Sequence, residues 1–256
     1  MIDSDKFRLI ILGSSNAIPD EEHENTHMVL LGNNRSVLID CVSNPILRLR
    51  RAGVDFNTLT DLILTHFHPD HVSGVPLLLM DMWLLGRHRP LNIYGLHHTL
   101  DRIEKLMGFY DWETWPNFFP VAFYRLPNEN MTQLMDLPEL RIFTSPVNHL
   151  IPTIGLRIEM PQREKILAYS CDTAPCPAVV ELAAGADVLI HEAAGPSPWH
   201  TTAAQAGSIA REAEVGKLYL IHYPTGGADP KPLVEQARET FGGEVNLAED
   251  FLGIEF

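Results

Sequence analysis

Cysteine is scarce: the 256 residues contain three, Cys41, Cys171 and Cys176, and no two form a CxxC pair. An odd, widely spaced set argues against a disulfide framework and suggests a reducing compartment. Long apolar runs are missing too. The most apolar stretch, Val75 to Gly86, is interrupted by Asp81 and is too short to span a bilayer. Residues 1–13 lack the basic segment, apolar stretch and small-residue cleavage site of a signal peptide, so the expectation is a soluble cytoplasmic protein. Basic residues are the third shortage, with Lys plus Arg at 19 against Asp plus Glu at 33, a net charge of −14. Binding a nucleic acid leans on Lys and Arg to neutralise phosphates, so this balance argues against a long RNA or DNA partner. Any phosphate the protein handles must be attracted locally, for instance by a bound metal.

What is present suits one folded body. The apolar share is 45%, enough for a sizeable core, and no linker or repeat divides the chain, which reads as a single domain over 1–256. Strands are predicted at Phe7–Leu12, Met28–Leu31, Ser36–Asp40, Leu62–Thr65 and Leu91–Tyr94, with Gly13-Ser14-Ser15 and Gly32-Asn33-Asn34 as punctuation. A second set is predicted at Leu140–Thr144, Ile154–Glu159, Ile166–Tyr169, Val188–Ile190 and Leu218–Ile221, with a short strand near Val245. Helices are expected from Asn44 to Arg51, Pro76 to Leu85, Thr99 to Met107, Ala178 to Ala184, Thr202 to Ala213 and Pro232 to Thr240. The Trp-, Pro- and Phe-rich segment after Asp111 reads as irregular structure. Strands grouped in sequence with helices interspersed suggest an α+β arrangement of two sheets covered by helices.

The chemistry concentrates in Thr65-His66-Phe67-His68-Pro69-Asp70-His71, directly after an apolar strand. Imidazole nitrogens and carboxylate oxygens are ligands that first-row divalent metals accept. Four ligands in one turn exceed what one catalytic zinc takes from its protein, which suggests two ions side by side. Further ligands of the right type follow other apolar strands: His149, Asp172 and His222. His23 and His27 flank an acidic loop and read as solvated loop residues, whereas His191 reads as a buried structural histidine.

On these residues the chain resembles the metallo-β-lactamase superfamily, and within it the ribonuclease Z-like branch. His66-x-His68-x-Asp70-His71, with His149, Asp172 and His222, is similar to the superfamily's metal motif. Leu12-Gly13-Ser14-Ser15-Asn16-Ala17-Ile18-Pro19 resembles the branch's first loop, and Leu38-Ile39-Asp40-Cys41 its strand ending in an Asp that supports the ligands. The segment from Gly86-Arg87 through Ile93-Tyr94-Gly95, and His191-Glu192-Ala193 with His200-Thr201-Thr202-Ala203, are also similar to the branch. The resemblance implies a four-layer αββα sandwich with two divalent ions, zinc first, manganese or iron as alternatives. His66, His68 and His149 would hold one ion, Asp70, His71 and His222 the other, and Asp172 both, with a bridging hydroxide as nucleophile. Asp70, Glu192 and His200 are the implied catalytic residues: His200 protonates the leaving oxygen and Glu192 fixes its tautomer. By residue context alone, His200 reads instead as a residue that caps or flanks the helix from Thr202. A homodimer is also implied.

The chain departs from ribonuclease Z in two places. Only 22 residues, 150 to 171, separate His149 from Asp172, where those enzymes carry a basic tRNA-gripping arm, and position 194 is Ala rather than Thr. The expected function is therefore a phosphodiesterase acting on a small, even cyclic, phosphodiester. The alternatives are a lactone, thioester or aryl sulfate hydrolase, a tRNA 3′-processing endoribonuclease, and a metal-holding scaffold without catalysis.

Overall fold

The computed structural model describes residues 7–227 and 229–256, so the tail expected over residues 1–6 lies outside the described residues. Contacts divide the chain into two compact units, each discontinuous in sequence. One comprises Met1–Gly13, Asn25–Leu126 and Asp250–Phe256, the other Ser14–Glu24 and Pro127–Glu249. The chain passes between them four times, which is why no linker marks the division in the sequence.

The first unit contains β1 (Arg8–Gly13), β2 (His27–Leu31), β3 (Ser36–Ile39), α1 (Pro45–Arg51), β4 (Asp61–Ile63), α2 (Pro69–Val72), α3 (Val75–Leu84), β5 (Leu91–Leu96), α4 (His97–Gly108), β6 (Val121–Leu126) and, far along the chain, β14 (Gly253–Glu255). Its sheet runs β14-β1-β2-β3-β4-β5-β6, antiparallel from β14 to β3 and parallel from β3 to β6. Apolar residues of the sheet, among them Leu38, Leu62 and Ile93, form one core with Leu49 of α1, Leu79 of α3 and Ile103 of α4. Helix α1 begins where the Asn44 side chain accepts the Leu47 N–H and Pro45 occupies the first turn, as those residues favour.

The second unit holds β7 (Thr132–Asp136), β8 (Arg141–Val147), β9 (Thr153–Met160), β10 (Lys165–Tyr169), α5 (Pro177–Ala183), β11 (Val188–Glu192), α6 (Ala203–Glu212), β12 (Lys217–Ile221), α7 (Lys231–Phe241) and β13 (Glu244–Leu247). The sheet order is β13-β12-β11-β10-β9-β8-β7, parallel from β13 to β10 and antiparallel beyond. A reciprocal cap between Thr202 and Gln205 starts α6. Its Gly207 lets α7 approach so closely that a Cβ there would lie 2.2 Å from the Ala237 carbonyl oxygen. Residues 150–171 are the β9–β10 hairpin and its short turn, with no inserted arm.

Three strands differ from the sequence expectation: β6, β7 and β14. All three lie at sheet edges, where one flank is unpaired and many residues are half-exposed; β7 and β14 carry no alternating or continuous apolar pattern, and the apolar run Val121–Tyr124 of β6 merges with the aromatic segment before it. Pairing with β8 and β1 supplies what the composition of β7 and β14 lacks. His27 also differs. It is no solvated loop residue but the first residue of β2, fully buried.

Candidate metal centre

Within the first unit, the histidine-rich turn follows β4, and the carboxyl ends of adjacent parallel strands are where α/β sheets place their ligands. His66 and His68 precede α2, Pro69 opens it, and Asp70 and His71 lie in its single turn. The ring nitrogens His66 Nε2 and His68 Nδ1 stand 3.0 Å apart, and the His66 and His71 ring centroids are 4.1 Å apart. The Asp70 carboxylate comes within 3.6 Å of His71 Nε2. The four residues are thus brought together by local chain geometry.

Asp40 holds this turn in place. It directly follows β3 with a left-handed backbone, φ 59°, where the chain turns towards the His71 segment. It accepts hydrogen bonds from the Thr65 amide (2.9 Å), the Thr65 hydroxyl (2.8 Å) and His71 Nδ1 (2.8 Å). A hydroxyl has one proton to give. Having given it to Asp40, Thr65 Oγ1 accepts from His66 Nδ1 at 3.1 Å. Both contacts fix the tautomers of His66 and His71 so that Nε2 presents its lone pair, the usual role of a carboxylate behind a metal-binding histidine. Burial raises the Asp40 carboxyl above its ordinary value, while His71 and Thr65 pull it back down.

Within the second unit, Asp172, Glu192 and His222 follow or end the parallel strands β10, β11 and β12, and His149 follows β8, which runs in the same direction. His149 Nδ1 donates to the Trp199 carbonyl at 3.0 Å, turning Nε2 towards Asp172 at 4.0 Å. His222 Nε2 lies 3.4 Å from the same Asp172 oxygen. Cys171 and His222 both have left-handed backbones, φ 53°, and the His222 amide is tied to the Ser14 carbonyl. Non-glycine residues held in that conformation store strain that surrounding structure must impose, a pattern frequent at functional sites.

His200 stands beside this group. Its ring is 5.7 Å from that of His222 in a near-parallel stack and 5.1 Å from that of His149. His200 Nδ1 donates to Glu192 Oε1 at 2.8 Å. Glu192 is fully buried, and its oxygens also accept the amides of Thr173 and Ala194, so the carboxylate cannot swing away. One ligand atom each of His149, Asp172 and His200 lies within 4.8 Å of the others, as do those of Glu192, His200 and His222. Burial lowers the His149 pKa, an effect that outweighs the opposing pull of Asp172 and favours the neutral ring that metal binding requires. Burial likewise depresses His191, whose Nδ1 donates to the Glu192 carbonyl, the structural role expected of it.

The donor sets fit divalent metal ions. Each offers imidazole nitrogen and carboxylate oxygen, the ligands that zinc and its first-row neighbours share. Sequence reasoning missed the supporting partners. Thr65 and Thr173 carry no motif, and the Trp199 and Ser14 contributions are backbone carbonyls that any residue could supply.

A family model described as Anti-Pycsar protein Apyc1 matches residues 7–241. The ribonuclease Z of Methanothermobacter thermautotrophicus is 27% identical over 95% of each chain; the alignment runs over 301 positions against a chain of 256, so that relative carries residues with no counterpart here. Among solved structures, the metallo-β-lactamase fold protein YhfI from Bacillus subtilis matches with a TM-score of 0.84 at 24% identity, covering 98% of this chain and 100% of that one. A diphosphatase of the PhnP family matches with a TM-score of 0.74 at 21% identity, covering 98% of both chains. Likeness at that level of identity shows the fold, and it is the α+β metallo-β-lactamase fold expected from the sequence. The chain belongs to the Anti-Pycsar protein Apyc1 family, within the ribonuclease Z-like branch of the metallo-β-lactamase superfamily of metal-dependent hydrolases.

Proposed function

We propose that this hydrolase cleaves a small phosphodiester, with His200 as the proton donor to the leaving oxygen. The observation that carries the reading is the His200 Nδ1–Glu192 contact, 2.8 Å long and anchored on a buried carboxylate, which assigns proton transfer to Nε2. His66, His68 and His149 would hold one divalent ion, Asp70, His71 and His222 a second, and Asp172 both, with zinc the first choice and manganese or iron the alternatives. When bound, such ions polarise the phosphoryl oxygens and activate the attacking water. The chain's own residues do the rest. Asp40 and the Trp199 carbonyl aim the nitrogens of His71 and His149, and Glu192 stabilises the protonated form of His200 before its proton passes to the departing oxygen.

Two further facts support a small substrate. The chain between His149 and Asp172 is a plain hairpin, and the net charge of −14 opposes a long polyanion. A diphosphatase among the structural neighbours is consistent with chemistry at phosphorus. A second reading, tRNA 3′ processing, rests on the 27% identity to a ribonuclease Z. The deciding experiment is hydrolysis of bis(p-nitrophenyl) phosphate and of a precursor tRNA by protein reconstituted with zinc or manganese. Metal-dependent turnover of the diester without tRNA cleavage supports the proposal. Precise tRNA cleavage would favour the second reading. Inactivity on both with metal bound would redirect attention to lactones, thioesters and aryl sulfates.

A further inference from the structure

The chain contains four tryptophans, and three of them, Trp83, Trp112 and Trp115, pack against the apolar core of the first unit. Trp199 does not. It is 41% exposed, on the segment joining Glu192 to His200. Burying a large aromatic ring is favourable, so one held partly exposed beside a catalytic residue offers a surface to a flat ligand group.

The backbone around Trp199 is fixed although much of the residue faces solvent. Its amide donates to Ser197 Oγ at 3.2 Å, the next amide reaches the Ser197 carbonyl, and Gly195, with φ 111°, closes the loop onto the Thr201 carbonyl. Its own carbonyl receives His149 Nδ1 at 3.0 Å. The indole is therefore presented on a rigid loop whose neighbouring residue, His200, carries the proposed proton donor. A flexible surface tryptophan would have none of these ties.

We propose that the Trp199 indole is a stacking surface for a flat aromatic or heteroaromatic group attached to the phosphodiester, and so determines specificity. The inference rests on the phosphodiesterase reading. A nucleobase and an aryl leaving group share the required chemistry, a π face next to a phosphate. Stacking of a base on an aromatic side chain is sequence-tolerant, and removal of the ring corresponds to roughly a tenfold loss or more.

The test compares wild type with Trp199→Ala, Trp199→Leu and Trp199→Phe on three substrates. These are a nucleoside 2′,3′-cyclic phosphate, the methyl riboside cyclic phosphate that lacks a base, and bis(p-nitrophenyl) phosphate. The Leu variant keeps an apolar side chain without a π face, and the Phe variant restores a ring, so a failure of the Ala variant to fold leaves the comparison intact. The expected result is a loss of kcat/KM on the base-bearing substrate about tenfold larger than on the base-free one for Ala and Leu, largely restored by Phe. Loss on the cyclic nucleotide identifies a nucleobase, and loss only on the nitrophenyl diester identifies an aryl group; either supports the proposal. Equal loss on all three substrates overturns it while leaving the phosphodiesterase reading in place. If wild type turns over none of them, that reading falls. Quenching of tryptophan fluorescence by a nucleoside monophosphate, but not by ribose phosphate, then decides the stacking on its own: quenching that persists in Trp199→Leu, or none in wild type, overturns it.

Discussion

Asp40 and Glu192 do the same work in different units: each is a buried carboxylate that fixes the tautomer of a histidine while also accepting backbone amides, one from Thr65 at Asp40 and two, from Thr173 and Ala194, at Glu192. Removing either leaves a histidine free to adopt the wrong tautomer. For Asp40→Ala the expected outcome is a fall in metal affinity of about 10- to 100-fold, read by competition with a chromophoric chelator. Retention of full affinity would show that His71 needs no support from below. For His200→Ala, metal content should stay at the wild-type level while kcat on a diester with a poor leaving group falls roughly 10²- to 10⁴-fold. An unchanged rate on such a substrate would remove His200 from the acid role.

At the scale of elements, α2 is four residues long and cannot hold itself in place by its own hydrogen bonds. It is fixed by the loop after β3: the Cys41 amide donates to the His71 carbonyl and the Gly74 amide to the Cys41 carbonyl. Gly74 is required because a Cβ there would sit 2.7 Å from the Val42 carbonyl carbon. Gly74→Ala should push α2 away from that loop, lowering stability by roughly 1–3 kcal/mol in urea denaturation. Zinc affinity should weaken with it, since His71 would drift from Asp40. A variant with native stability and native affinity would show that the contact is slack. The motif from His66 to His71 was legible because packing and solvation alone give a chain little reason to crowd three imidazoles and a carboxylate into one turn. The loop that anchors it was not, since a backbone amide leaves no trace in sequence. Edge strands β7 and β14 were illegible for a related reason: their structure comes from a neighbour's unpaired hydrogen bonds rather than from their own pattern.

For the whole molecule, several histidines are buried neutral, and their effect on pH stability has a definite sign. His27 is lowered to about 3 by burial, and burial also lowers His191 and His149. An unfolded histidine titrates near its ordinary value, about 6.5. Between the two values the unfolded chain binds the proton that the folded chain refuses. Stability therefore holds above about 6.5 and falls as the pH drops towards 3, with His27 contributing up to about 1.4 kcal/mol per pH unit. Urea midpoints measured at pH 7 and pH 5 should show the loss, and His27→Gln should make the difference smaller. An identical pH dependence in that variant would place the acid sensitivity elsewhere. No helix among the described residues is long and apolar enough to cross a membrane.

The sequence alone was sufficient for the fold class, the gathering of His66, His68, Asp70 and His71 at one turn, and the pairing of His200 with Glu192. Those properties reside in side-chain identity and spacing, or in motifs whose residues match a known family. The tertiary structure alone decided which atoms support the candidate ligands, the Trp199 carbonyl behind His149 and the Ser14 carbonyl behind His222, and it placed His27 in the interior, opposite Gly13 of β1. It also decided which tryptophan is left in solvent. Backbone hydrogen bonds and burial depend on which segments meet in space, and residues distant in the chain carry no local sign of that meeting.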